Sequence, residues 1–242
     1  MNNRAICCSW IGAGVVALFL ALPSAAASVN KSIKIDAGSP SDGASSVNGS
    51  ITVGAGAVVT GEVKTVNGAI RVDENASIKD ASTVNGSLRI GAGVRSQSVG
   101  TVNGSIRVED NVTVDGAVRA VNGRIEVAGG SRIAGDLSNV NGEIRLVGCE
   151  VGGDLSTVSG DITLSEGAVV EGDLVVEKPG SWSWGKSKSR EPEIVIGPDS
   201  KVLGTIRLER EVKLYISESA DVGGVDGVMT MNDAVRFSGK RP

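Results

Sequence analysis

Val102-Asn103-Gly104-Ser105-Ile106-Arg107-Val108 decides how this chain folds, because it recurs. The tripeptide Val-Asn-Gly begins at Val47, Val66, Val84, Val102, Val121 and Val140, and Val158-Ser159-Gly160 is a seventh copy. The copies lie 19, 18, 18, 19, 19 and 18 residues apart. Four residues after each valine, two aliphatic residues bracket a third: Ile51-Thr52-Val53, Ile70-Arg71-Val72, Leu88-Arg89-Ile90, Ile106-Arg107-Val108, Ile125-Glu126-Val127, Ile144-Arg145-Leu146 and Ile162-Thr163-Leu164. In a strand this alternation sends the first and third residues to one face and the middle one to the other.

The pattern extends outward from these triplets. A further aliphatic residue comes eight positions after the first, as at Val59, Ile78, Val114, Ile133 and Val170. Glycine recurs at ten positions (Gly61, Gly116, Gly135, Gly172) and another aliphatic residue at twelve (Val63, Val118, Leu137, Leu174). The template opens at Ile33-Lys34-Ile35 with Gly43, and resumes at Ile194-Val195-Ile196 and Leu214-Tyr215-Ile216, giving ten candidate coils. No apolar stripe of period 3.6 is present, and the period is too short for a helical hairpin. Three short strands and their turns need about this length. The expected fold is therefore all-β: a single-stranded parallel β-helix of nine to ten coils of 18–19 residues. Its inward aliphatics stack about 4.8 Å apart, so ten coils give a rod of roughly 48 Å. Asn-Gly elsewhere marks a hairpin, and independent hairpins are the competing reading. At fixed phase in a long period it marks a corner. Glycine and asparagine there suit positive backbone dihedrals, and stacked asparagines can hydrogen-bond from coil to coil.

Composition narrows the function. The 242 residues are 40% hydrophobic but only 2% aromatic, with 34 glycines and no histidine. Without histidine there is no Ser-His-Asp triad, Cys-His dyad or imidazole metal site. A net charge of −4 and a pI near 5.1 argue against a nucleic-acid partner. Residues 1–27 read as a signal peptide. Arg4 precedes the apolar run Ile11 to Leu22, then come Pro23-Ser24 and the small residues Ala25-Ala26-Ala27. A run of twelve residues is short against the roughly 20 that span a bilayer, so no stable membrane span is expected after cleavage near Ser28, the alternative being a short anchor. Cys7 and Cys8 would leave with the peptide. Cys149, between apolar neighbours, then reads as a small buried hydrophobe rather than a reactive or dimer-linking thiol.

Glu166-Gly167-Ala168-Val169-Val170-Glu171-Gly172-Asp173-Leu174 and Gly197-Pro198-Asp199-Ser200-Lys201-Val202-Leu203-Gly204 resemble the coils of the bactofilin, or polymer-forming cytoskeletal, family. The Val-Asn-Gly-x-Ile-x-Val copies are also similar to exported β-strand-repeat proteins, including the adhesin-like "head GIN" group. Together the resemblances cover about Ile33 to Gly227. They imply a bacterial source and a right-handed solenoid. The bactofilin resemblance implies end-to-end filaments of a cytoplasmic protein, whereas this chain carries an export signal.

The expected organisation is a β-helix over residues 28–176 and 194–227, an insertion at 177–193 and a C-terminal tail at 228–242. The insertion holds Trp182, Trp184, Lys186, Lys188 and Arg190. Tryptophan faces stack on sugar rings and the cations attract anionic groups, which makes this a candidate binding surface; the alternative is a solvated loop packed on the solenoid wall. Arg71, Arg89, Arg107 and Arg145 form a candidate outer arginine row. It would either grip an anionic glycan or, with Asp73 and Glu109 beside it, serve as a solvated face that discourages aggregation. Of the Asn-x-Ser/Thr triplets at Asn30, Asn48, Asn75, Asn85, Asn103 and Asn111, the repeat itself generates three, so they are a weak signal of glycosylation. Corner acids such as Asp136, Asp154, Asp161 and Asp173 are the only catalytic candidates, and solenoid enzymes surround theirs with long loops and aromatics that are scarce here.

No enzymatic activity, cofactor or metal is expected. The sequence reads as an exported structural or adhesive solenoid of the bacterial envelope, its partner being itself or envelope glycan. Two other readings stand beside it: a glycan- or anionic-surface-binding module acting through the tryptophan loop, and a polymer-forming scaffold. Ser39, Ser41 and Ser45, in place of the later Ala57, Val59 and Val63, together with Pro40, mark a blunt first coil. Met229, Met231, Val235 and Phe237 would let the tail close the far end.

Overall fold

A computed structural model describes residues 26–179, 190–239 and 242. The chain winds through three parallel sheets of 11, 11 and 10 strands, visiting each once per turn for about ten turns. The aliphatic triplets form the second sheet, with Ile51, Ile70, Leu88, Ile106, Ile125, Ile144, Ile162, Ile194 and Leu214 in continuous register. Two-residue strands such as Val58–Val59 form the third sheet. The strands leading into Val-Asn-Gly, such as Val63–Thr65, form the first. The fold is the expected parallel β-solenoid.

The burial pattern follows the alternation. In Ile70–Val72 the outer two residues are buried and Arg71 is exposed, and the same holds for Leu88–Ile90 and Ile106–Val108. Branched aliphatics dominate the interior because they pack well on a pleated surface and fix their rotamers at little extra cost. Cys149 belongs to an inward corner column with Ala57, Ala76, Val94, Val112, Ser131 and Ala168, and is only 4% exposed. Burial pushes its thiol pKa up to about 12, the behaviour of an inert core residue.

The corners use glycine in two different ways. One corner turns through the left-handed region, and its residue is Gly38, Gly56, Asn75, Gly93, Asn111, Gly130, Gly167 or Asp199, all with φ between 56° and 74°. The Val-Asn-Gly corner is different. Its asparagines are absent from the positive-φ residues, so the expectation that they occupy the left-handed region is corrected. Its glycines are required by close approach, and two of them, Gly123 and Gly142, also take positive φ of 147° and 129°. A Cβ on Gly68, Gly86 or Gly104 would lie 2.2, 2.0 or 1.9 Å from the carbonyl oxygen of the matching glycine one coil earlier. Coils stacked at strand spacing leave no room for a methyl group there.

Both ends depart in detail from the sequence reading. Ala26–Ser28 pair with Ala44–Ser46, so the solenoid begins inside the segment read as a signal peptide. In the first coil Ala44, rather than Ser45, stands in register with Val63 and is fully buried. At the far end the tail continues the second sheet, with Val235–Phe237 pairing along Tyr215–Ser217. Phe237 is buried, and Met229 and Met231 pack on the core as expected, but Val235 is 54% exposed and takes no part in the lid.

Candidate functional surface

Three side-chain columns run along the rod. The outermost is an asparagine ladder built from the middle residue of Val-Asn-Gly. Asn48 Nδ2 donates to Asn30 Oδ1 at 2.8 Å, and the chain continues through Asn67, Asn85, Asn103 and Asn122 to Asn141, with every step between 2.8 and 3.0 Å. All seven asparagines are exposed. Each amide still keeps one N–H and acceptor capacity for another partner. The ladder stops where Ser159 replaces asparagine.

A buried column lies just inside it. The Thr65 hydroxyl donates to the Gly49 carbonyl at 2.9 Å, Thr83 to Gly68 at 3.0 Å and Thr101 to Gly86 at 3.1 Å, while Asn139 Nδ2 reaches Gly123 at 2.7 Å. These side chains satisfy inward corner carbonyls that would otherwise be buried without a partner. The sequence carries this signal, a Ser, Thr or Asn immediately before most copies of Val-Asn-Gly. The repeat template passed over it because it followed only apolar positions. Ala120 breaks the column.

The third column gives the corner carboxylates their role. Asp136 Oδ1 accepts the Asp154 N–H at 3.2 Å, Asp154 Oδ1 accepts that of Asp173 at 2.8 Å, and Asp173 Oδ1 accepts that of Thr205 at 2.8 Å. Asp161 likewise accepts the Glu193 N–H at 2.9 Å. The four candidate acids thus bind the backbone of the following coil, Asp136, Asp154 and Asp173 one per turn and Asp161 at another corner, instead of converging on a common point.

The outer arginine row is present. Arg71, Arg89 and Arg107 stand in register on the second sheet, Glu126 follows, and Arg145 comes next. Each arginine has an acidic partner. Arg71 pairs with Asp73 at 2.8 Å, Arg89 with Glu109 at 2.8 Å, Arg107 with Glu126 at 2.6 Å and Arg145 with Glu143 at 2.5 Å. Arg124 links Glu126 and Glu143 at 3.5 and 3.0 Å. With all four arginines more than 40% exposed, the pairs are worth little individually, but they cancel the repulsion of stacked like charges. The face is a neutralised lattice rather than an open cationic track. On the third sheet Arg132 hydrogen-bonds Glu150 and holds its carboxyl below the usual range. The neighbouring Glu150 carboxyl, through hydrogen bonding, pushes Glu171 up.

Of the insertion, Trp182, Trp184, Lys186 and Lys188 lie outside the described residues. Its base replaces the Val-Asn-Gly corner of one coil. Arg190 is engaged there, with Nη1 3.1 Å from Asp161 Oδ2, and Glu209 accepts the Lys178 N–H at 3.0 Å. Arg210 donates to the Val158 carbonyl at 3.1 Å and the Arg190 carbonyl at 3.4 Å. Arg190 therefore acts first as an anchor of the loop. The insertion leaves the rod along the same edge as the asparagine ladder, two coils beyond its last member. Among the described residues no helix is long and apolar enough to cross a membrane.

Compared with known proteins, the chain matches no family model, no curated protein and no solved structure.

Proposed function

We propose that this chain is an exported, non-enzymatic structural solenoid of a bacterial cell envelope, a short stiff spacer with closed ends. The observation that carries the reading is the set of overlapping side-chain columns: the asparagine ladder from Asn30 to Asn141, the hydroxyl column beside it, which skips Ala120, and the aspartates that continue from Asp136 to Asp173. Every coil is tied to the next by side-chain as well as ladder hydrogen bonds, and the corner acids are used in that stacking. A solenoid joined in this way resists bending because coils contact only their neighbours and each interface is reinforced on several edges. Export rests on the apolar run Ile11 to Leu22 and the small residues that follow it. The bactofilin-like polymer is the less favoured reading, because the terminal strand carries Arg236 in register with the core residue Ile216.

A binding module working through the tryptophan loop is the second reading, favoured by the anchoring of the loop base at Asp161 and Glu209. Fractionation of cells expressing the full chain tests the principal reading: recovery in the periplasm or culture medium supports it, and recovery in the cytosol overturns it. Deletion of Lys178 to Arg190 separates the two readings. Envelope binding lost with the fold intact favours the module, and binding retained favours the spacer.

A further inference from the structure

The edge that carries the asparagine ladder differs from the rest of the surface. Beside the ladder runs a column of half-exposed valines, from Val29 at 65% and Val47 at 41% exposed through Val84 to Val158. The residue after the corner glycine is Ser50, Ala69, Ser87 or Ser105 over four successive coils. On the other flank the outward residues of the first sheet are Ser45, Lys64, Ser82, Gly100, Arg119 and Ser138. The result is a ridge of valine and amide eight coils long, bordered after the corner by uncharged residues in those four coils and by Lys31, Arg124, Glu143 and Asp161 in the others, on a molecule whose second and third sheets face outward with arginine, lysine and carboxylate. At about 4.8 Å per coil it runs for roughly 34 Å.

We propose that this ridge pairs with the same ridge of a second copy, the two rods lying side by side and antiparallel. Pitch selects the partner. Only a surface repeating at the same spacing keeps its groups in phase over seven coils, and a second copy does so by construction. The unused amide N–H and carbonyl of each asparagine then find their counterparts, while valine packs on valine. Charge selects the direction. The seven asparagines have Asn85 at their centre, so an antiparallel dyad there sets Asn67 against Asn103 and Asn48 against Asn122. Lys64 then meets the Gly100 coil and Arg119 meets the Ser45 coil. A parallel pair would instead set the first-sheet flank against the partner's other flank, Arg119 facing Arg124. The closed two-fold arrangement is isologous and does not propagate into fibres. Over the seven overlapping coils a strip about four residues wide covers roughly 380 Å² per copy, below the 800 Å² of a standard interface, so the dimer is weak and reversible. The inference stands independently of the function proposed above, since it concerns the purified chain alone.

Sedimentation of the full chain from micromolar to near-millimolar concentration tests it. The mean mass rises toward twice the monomer. Val84→Glu, which brings two carboxylates together at the dyad, abolishes the rise while the β-sheet circular dichroism is unchanged; Val58→Glu, on the exposed third sheet, leaves it intact. In a background with Cys7, Cys8 and Cys149 all replaced by Ala, Val84→Cys cross-links to itself on oxidation. Val140→Cys does not, but it links to Val29→Cys in a mixture. A chain that stays monomeric throughout, a Val84→Glu variant that dimerises as well as the parent, or efficient self-linking at Val140→Cys overturns the proposal. So does a monomer that binds insoluble glycan through the same valines.

Discussion

Arg236 stands in register with Ile216, a fully buried core residue of the preceding coil. Register places the two on the same side of the sheet, yet Arg236 is exposed, with its guanidinium donating to Met231 Sδ and the Ser217 carbonyl, each at 3.4 Å. The last strand thus puts a charge where another coil would need an aliphatic side chain. Inward-pointing charge is one of the ways natural sheets protect an edge from further pairing. Asp233 stabilises the turn before it by accepting hydrogen bonds from the Thr230 N–H and hydroxyl at 2.8 and 2.9 Å. Those bonds hold its carboxyl below the usual aspartate range. At the opposite end Pro40 occupies the outermost strand of the third sheet, where its missing N–H is harmless.

The two kinds of corner glycine separate under substitution. Gly86→Ala forces a methyl to within 2.0 Å of the Gly68 carbonyl and must push two coils apart. The expected loss is about 3 kcal/mol or more, typical of overpacking against backbone. Gly56, at φ 66°, has open space around its Cβ position and shares its place in the coil with Asn75 and Asn111. Gly56→Asn is therefore expected to cost less than about 1 kcal/mol. Urea titration of both variants distinguishes steric from conformational need, and equal losses contradict the assignment.

Ala120 leaves a gap in the buried hydroxyl column, opposite the Gly104 carbonyl. Ala120→Thr supplies the hydrogen bond its neighbours make and is expected to stabilise the fold by about 1 kcal/mol, or about 2–4 °C in melting temperature. Thr83→Val, which removes such a bond while keeping the shape, is expected to lose about 1–2 kcal/mol. Calorimetry on both gives shifts of opposite sign if the column acts as described.

How much of this was legible in the sequence depended on which physical signal was followed. The triplets such as Ile106-Arg107-Val108 repeat at fixed phase, and alternation alone assigns their buried and exposed sides. The stacked asparagines were legible for the same reason. The role of the Val-Asn-Gly glycines was not, because a contact between coils depends on the distance to a carbonyl some 18 residues away, which no local dihedral preference reveals. Asp154 and Asp173 looked like candidate acids because a carboxylate has two ordinary uses, and only geometry distinguishes binding a backbone N–H from binding a substrate. In the first coil Ser45 was placed one position off, since nothing local shows that this coil is a residue shorter than the next.

Cys149 makes the alkaline stability of the fold depend on one thiol. Its pKa rises from the model-compound value of 9.0 to about 12 in the folded chain, so between these values the unfolded chain binds fewer protons. This contribution is complete below pH 9 and is lost as pH climbs toward 12, at about 1.4 kcal/mol per pH unit. Cys149→Ala removes that slope, at the cost of a small cavity seen at every pH. Chemical denaturation of both chains at neutral and alkaline pH gives converging stabilities if burial is the cause. A thiol reagent at neutral pH reacts with Cys149 of the native parent only as fast as the chain unfolds.

The most direct test of the account is electron microscopy of the full chain beside the same chain lacking Met229 to Pro242. The intact protein is expected to give discrete short rods of roughly 50 Å, single or paired side by side, with no end-to-end growth at any concentration. Removing the tail strips Arg236 and Phe237 from the last full coil and exposes Leu214 and Ile216, so filaments form only after truncation. Long filaments from the intact chain would contradict the closed-ended spacer outright.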